Sequence, residues 1–282
     1  MSSGGAVQRI GVFDSGVGGL TVLREVYRQL PQESVLYFGD TARLPYGTRS
    51  PEAILQYVRE ILTWMTTQRV KMVLMACNTS SAIALEQVRA EFGMPLLGVI
   101  LPGARAAAEQ GSRIGVLATP ATVQSQAYGQ AIHEARPAAQ VWQIPCPEFV
   151  PLIEEGRLDD PQIRHVVQAR IRPLVAQEID TLVYGCTHYP HLDPILARLL
   201  PPHIRRIDPA AYLVRAAAQE LDVLGLKATQ PAQPTRFAVS GSPKTFGRLA
   251  QRWLGYQPRV EKVHLPTAQP TPTWSVTLGP TL

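Results

Sequence analysis

Residues 72–82, MVLMACNTSSA, form an apolar run that ends on a cysteine followed by amide and hydroxyl residues, and residues 180–190, DTLVYGCTHYP, repeat the arrangement. Each run is short, β-branched or aliphatic, and closed by polar residues. That is the pattern of a buried parallel strand rather than of an amphipathic helix. A second echo accompanies the first: RIGVFDS at 9–15 returns as RIGVLAT at 113–119, 104 residues on, and VLMACNT at 73–79 matches LVYGCTH at 182–188, 109 residues on. Buried parallel strands resemble one another by composition alone. Here, however, the likeness continues past the strands into the polar turns, and so predicts two similar α/β halves that arose by duplication.

Further runs of the same kind lie at 35–40, 95–100, 140–144, 204–208, 236–241 and 259–263, with amphipathic segments between most of them. Strands alternating with helices define an α/β class with mainly parallel sheets. One helix start is explicit. Ser50 followed by Pro51 and an apolar pattern through Trp64 places Ser at the N-cap and Pro at the first helical position of a helix over 51–68. Residues 224–235 read as a polar, Pro-containing loop, and 265–282 as a Pro/Thr-rich extended tail.

The bulk properties narrow the function. At 282 residues, 45% hydrophobic and 17% charged, the chain can bury a large core and lacks the signature of disorder; two domains are expected. Its net charge of +5 is spread along the sequence without a basic, aromatic-interleaved cluster, which argues against nucleic acid. No leader pattern and no run of about 18 apolar residues is present, so neither a membrane span nor export is expected, and the protein reads as cytoplasmic. Three cysteines, at 77, 146 and 186, make no disulfide framework. Lysines are few (Lys71, Lys227, Lys244 and Lys262), leaving little choice for a Schiff base with pyridoxal phosphate.

Ligands of open α/β sheets bind at the carboxyl ends of the strands, where Cys77 and Cys186 both fall. A single buried cysteine is most economically a packing residue, the reading taken for Cys146. Two at corresponding places on duplicated strands call for a shared reason. A cysteine before a helix N-terminus is placed to lose its proton, and a pair on two walls of one cleft suits removal of a proton from one face of a substrate and delivery to the other: racemisation. Asp14 and His188 are the groups available to tune the two thiols. Gly16, Gly18 and Gly19 give G-x-G-G, short of a dinucleotide fingerprint but suited to a turn whose N–H groups approach an anion. Cys186, His188 and His191 have the types of zinc ligands but lack a fourth at the usual spacing, so no metal is expected. Asn78, Thr79 and Thr187 serve as helix caps or as donors to a substrate carboxylate or amine.

The motifs FDSGVGGLTV (13–22), YFGDTARLPYGTRS (37–50), ACNTSSA (76–82), CPEFVPLIEEG (146–156) and YGCTHYPHL (184–192) resemble, in this order, those of glutamate racemases, and the likeness runs from about residue 9 to 255, including SGSPKTFGRLAQRWLG at 240–255. The resemblance implies a cofactor-independent enzyme that interconverts L- and D-glutamate for peptidoglycan. It implies two pseudo-symmetric three-layer domains with the active site in the cleft between them, and a homodimer. Residues 1–98 and 212–282 would form a discontinuous first domain and 99–211 the second. Cys77 and Cys186 become the paired acid/bases, assisted by Asp14 and His188, with Glu154 at an acidic position beside Glu155. Substrate contacts map to Asp14, Ser15, Tyr46, Gly47, Asn78, Thr79, Thr187 and His188. Some members carry an N-terminal extension associated with activation by a cell-wall precursor; only about eight residues precede the first strand here, and such regulation is not expected. The rival readings are a racemase of aspartate or another amino acid, a non-catalytic amino-acid-binding protein on the same cleft, and a hydrolase using one cysteine as nucleophile.

Overall fold

The two pairs of echoing strands occupy equivalent places in two parallel sheets of a computed structural model that describes residues 8–158 and 160–266. The strands are β1 (Ile10–Asp14), β2 (Val35–Gly39), β3 (Met72–Met75), β4 (Leu96–Gly98), β5 (Arg113–Ala118), β6 (Gln140–Pro145), β7 (Thr181–Gly185), β8 (Arg205–Ile207), β9 (Arg236–Val239) and β10 (Val260–Lys262). One sheet has the order β10-β9-β2-β1-β3-β4 and the other β6-β5-β7-β8. The order 2-1-3-4 thus recurs as 6-5-7-8, with β1 and β5, and β3 and β7, in matching central positions. All pairings are parallel. The expected class is therefore the observed one, with each of the ten expected strands present.

Strand alternation builds the layers. In β1, Ile10 and Val12 enter one apolar cluster and Phe13 the other, and in β3 Met72 and Leu74 face opposite to Val73 and Met75. The first cluster is closed by α1 (Leu20–Gln29) and the second by α2 (Pro51–Thr67) and α3 (Asn78–Val88). The four-stranded sheet is covered on one face by α4 (Ile100–Gln110) and α6 (Ala127–Ala135), which follows the short α5 (Pro120–Gln124). Its other face carries α7 (Phe149–Glu154), α8 (Pro161–Ala176) and α9 (Asp193–Leu199). α10 (Pro209–Val223) then returns Leu213, Val214, Ala217 and Leu221 to the core of the six-stranded sheet, and α11 (Pro243–Leu254) lies between β9 and β10 in sequence.

Local signals explain where elements start and stop. Ser50 Oγ accepts the Ala53 N–H and Pro51 opens α2, as expected, with the helix ending at Thr67 instead of 68. Strands β3 and β4 end earlier than their apolar runs, because residues there leave the ladder to begin a helix. Ala76 and Cys77 follow β3, with Cys77 as the N-cap of α3, and Ile100 is already the first residue of α4. The loop 224–235 is held down: Lys71, buried in an ion pair with Glu33 at 2.6 Å, donates to Leu226 O, while Glu33 accepts the Ala228 N–H. The tail over 265–282 lies, from 267 onward, outside the described residues. Among the described residues no helix is long and apolar enough to cross a membrane.

Candidate active site

The carboxyl ends of β1, β3, β5 and β7 open on one cavity of about 700 Å³ between the two sheets, lined by both Cys77 and Cys186. Ser15, Tyr46, Gly47, Asn78, Thr79, Glu154, Thr187 and His188 line it too. Parallel pairing aligns these strand ends, and the common order of the two sheets sets the two cysteines at equivalent positions.

Cys77 sits at the start of α3, buried, with Ser80 Oγ donating to its carbonyl. Burial pushes its thiol up to about 12, the negative charge of Asp14 adds to the effect, and the N–H and hydroxyl of Ser80 oppose it. The helix start does not by itself ionise this cysteine, contrary to the expectation from sequence. Desolvation, with the charge of Asp14, outweighs the Ser80 donors at the start of α3.

Cys186 lies at the matching place after β7, with His188 Nδ1 3.7 Å from its sulfur. His188 Nε2 meets Glu154 Oε1 at 3.0 Å. Burial of His188 works against its charge, yet the hydrogen bonds with Cys186 and Glu154 prevail and hold the imidazole up at about 10. Glu154, the last residue of α7, is thus the acidic partner, while neighbouring Glu155 turns to Arg157. The geometry distinguishes two carboxylates that adjacent positions in the sequence left equivalent.

Asp14 stands behind the cavity wall instead of lining it. Its Oδ2 accepts the Gly16 N–H at 2.9 Å and its Oδ1 the Thr187 hydroxyl at 3.2 Å, across 173 residues. The glycine turn therefore wraps the chain's own carboxylate, where the sequence suggested an external anion. Burial raises the Asp14 pKa; His188, the Gly16 and Gly19 N–H groups and Thr187 pull it back. Gly18 has a different duty: a Cβ there would stand 2.3 Å from Thr187 Oγ1 and 2.5 Å from His188 Nδ1. Only glycine permits the first half to approach the second this closely.

The remaining polar groups are oriented by neighbours. Tyr128 OH donates to Asn78 Oδ1 at 2.7 Å, which leaves the amide N–H groups of Asn78 for the cavity. Thr79, Thr119 and Thr122 share hydroxyl contacts of 3.0–3.2 Å. Tyr46 gives its hydroxyl to Asp40, so at Tyr46 and Gly47 the backbone is what the cavity offers. Thr119, Tyr128, Arg248 and Arg252 were missed from sequence. Thr119 carried a usable signal, since it ends the RIGVLAT echo and corresponds to Ser15; the others are brought in by packing alone. Cys146 packs in the second core, as expected, and also borders the cavity, its thiol pushed up to about 12 by burial. His191 turns onto Trp253, ring centroids 4.2 Å apart, away from a common point with Cys186 and His188. Among the described residues no group of three His, Cys, Asp or Glu side chains is arranged to hold a metal.

Comparison with known proteins agrees with this fold. The profile of the Asp/Glu/hydantoin racemase family matches residues 10–217. The glutamate racemase of Microcystis aeruginosa is 67% identical over 257 residues, covering 91% of both chains. Among solved structures, glutamate racemase isoform RacE1 from Bacillus anthracis superimposes with a TM-score of 0.89 at 38% identity, over 93% of this chain and 99% of its own. The Francisella tularensis glutamate racemase, solved in complex with D-glutamate, gives 0.86 at 34% identity over 92% and 97%. With a cavity walled by two equivalent cysteines and a profile match spanning both sheets, this chain belongs to the Asp/Glu/hydantoin racemase family.

Proposed function

We propose that the protein is a glutamate racemase that works without a cofactor, by two bases. The observation that carries this is the pair Cys77 and Cys186 at equivalent strand ends on one cavity. One sulfur, as thiolate, takes the α-proton as the C–H bond breaks; the other, as thiol, gives its proton to the opposite face of the carbanion. The sulfurs exchange protonation states and the overall charge balance is unchanged. The N–H groups at the start of α3 and the Asn78 amide are suited to the α-carboxylate, where they stabilise the charge that develops as the proton leaves. Asp14 supports the Cys77 side, and Glu154 and His188 the Cys186 side. No lysine is among the described residues that line the cavity, which fits chemistry without a Schiff base.

Glutamate is favoured over aspartate by the 67% identity to an enzyme named for glutamate. The D-glutamate would supply peptidoglycan synthesis in the cytoplasm, and the enzyme would act as a homodimer, a state sedimentation measures directly. The two sheets support a division into a discontinuous domain of 1–98 with 212–282 and a second of 99–211. Incubation with L-glutamate in deuterated water, without added pyridoxal phosphate, yields D-glutamate labelled at the α-carbon; no exchange and no D-enantiomer would overturn the proposal. Faster turnover of aspartate in a parallel assay would transfer the activity to the other substrate.

Gly18→Ala tests the close approach across the cleft. The added methyl must displace Thr187 or His188, and a displacement near 1 Å in a catalytic group costs roughly 10²-fold. The expected result is a loss of about that size in kcat/KM with the fold retained by circular dichroism. A fully active variant would show that the approach is not needed.

A further inference from the structure

His188 is held at Nε2 by a 3.0 Å contact with Glu154 and at Nδ1 by a 3.7 Å contact with the Cys186 sulfur, but two contacts in the ring plane do not fix the ring's tilt about the line that joins them. What bounds the ring is shape. On one side is the Gly18 backbone. Trp253 packs against the imidazole edge-to-face, centroids 5.4 Å apart at 86°, and is itself backed by His191 at 4.2 Å. Trp253 belongs to α11, in the segment that returns to the six-stranded sheet, yet it packs against the cores of both sheets. Its neighbour Arg252 reaches the Glu154 carbonyl at 3.4 Å. The returning helix therefore touches both members of the His188–Glu154 unit.

We propose that Trp253, backed by His191, is a positioning residue that holds the His188 imidazole toward Cys186, so that the seating of α11 across the cleft sets the geometry of proton transfer. The inference rests on the assignment of Cys186 and His188 given above. It requires no contact between Trp253 and substrate, and it makes a helix from one half of the molecule a condition for the chemistry of the other.

The test is a double-mutant cycle on the full chain. Trp253→Leu keeps apolar bulk for both cores and removes the ring; kcat is expected to fall about ten-fold or more, with KM for glutamate changed less than about two-fold. Trp253→Phe, which restores an aromatic face, should recover most of the loss. In a His188→Asn background, Trp253→Leu should add less than about a two-fold further loss, since an effect routed through His188 has nothing left to act on. Equal losses in both backgrounds would overturn the proposal and make Trp253 a purely structural residue, as would full activity of Trp253→Leu. A readout independent of turnover separates this from failure of the proposed function. The His188 ring nitrogen resonances, assigned by their disappearance in His188→Asn, report its hydrogen bonding and should move in Trp253→Leu by more than loss of the indole ring current accounts for; shifts no larger than that would reject the positioning role even if the wild-type protein racemises glutamate.

Discussion

Cys77→Ser and Cys186→Ser each lower kcat/KM for glutamate racemisation by at least about 10³-fold, within the range by which a positioned acid or base contributes. Serine nearly preserves volume and hydrogen bonding, so the loss isolates the titrating sulfur. A hydroxyl at either position is far too weak an acid to hold the anion that must take the α-proton or to exchange roles with its partner. Both variants should fail in both directions, because in the proposed mechanism every turnover uses one sulfur as base and the other as acid. That symmetry separates the rival readings. A binding protein would keep its affinity for glutamate in either variant with no turnover to lose, and a hydrolase would depend on one cysteine and tolerate loss of the other. Cys146→Ser is the control: its sulfur interacts with Ile144 O within the second core and has no counterpart among the echoing strands.

Glu154→Gln should reduce kcat/KM roughly ten- to 100-fold, consistent with removal of a group that orients a catalytic one, and it should also change the pH dependence of stability. In the folded protein His188 is held up at about 10, against an ordinary histidine value of 6.5, by its hydrogen bonds with Cys186 and Glu154, which overcome burial. A group whose folded value is raised contributes stability that is full below its unfolded value and lost as pH rises through the folded one. Replacing the carboxylate by an amide lowers the folded value. The deficit of Glu154→Gln relative to wild type should therefore be complete near pH 6.5 and close as pH approaches 10, as urea midpoints across that window would measure. A deficit independent of pH would mean that Glu154 supports α7 and not the charge on His188. Glu155→Gln, which alters a carboxylate directed at exposed Arg157, should leave both profiles nearly unchanged.

Much of the cavity's architecture was legible because its signals are local. A six-residue aliphatic run reads as a buried strand whatever surrounds it, and Ser50-Pro51 caps a helix through atoms three residues apart. The pairing of Cys77 with Cys186 was legible for a different reason: duplication left two copies of one local pattern, and equivalent strands occupy equivalent places in equivalent sheets. The glycine turn was legible as a place of close backbone approach but not as to its partner, since the carboxylate it wraps is Asp14 and the atoms that exclude a side chain at Gly18 belong to residues 187 and 188.

The order of residues was enough to read the α/β class, the ten strands, the two similar halves and the two cysteines at corresponding ends, all of which follow from continuous apolar runs, helix-capping chemistry and a repeated motif. Tertiary packing alone settles that burial holds the Cys77 thiol up, that Glu154 and not Glu155 meets His188, that Asp14 lies behind the wall, and that α11 sets Trp253 against His188. The physical reason is common to these four. Protonation, hydrogen-bond partner and ring orientation depend on atoms within a few ångströms, and here those atoms come from segments as far apart as residues 14 and 187, whose meeting is set by the packing of two sheets and a returning helix.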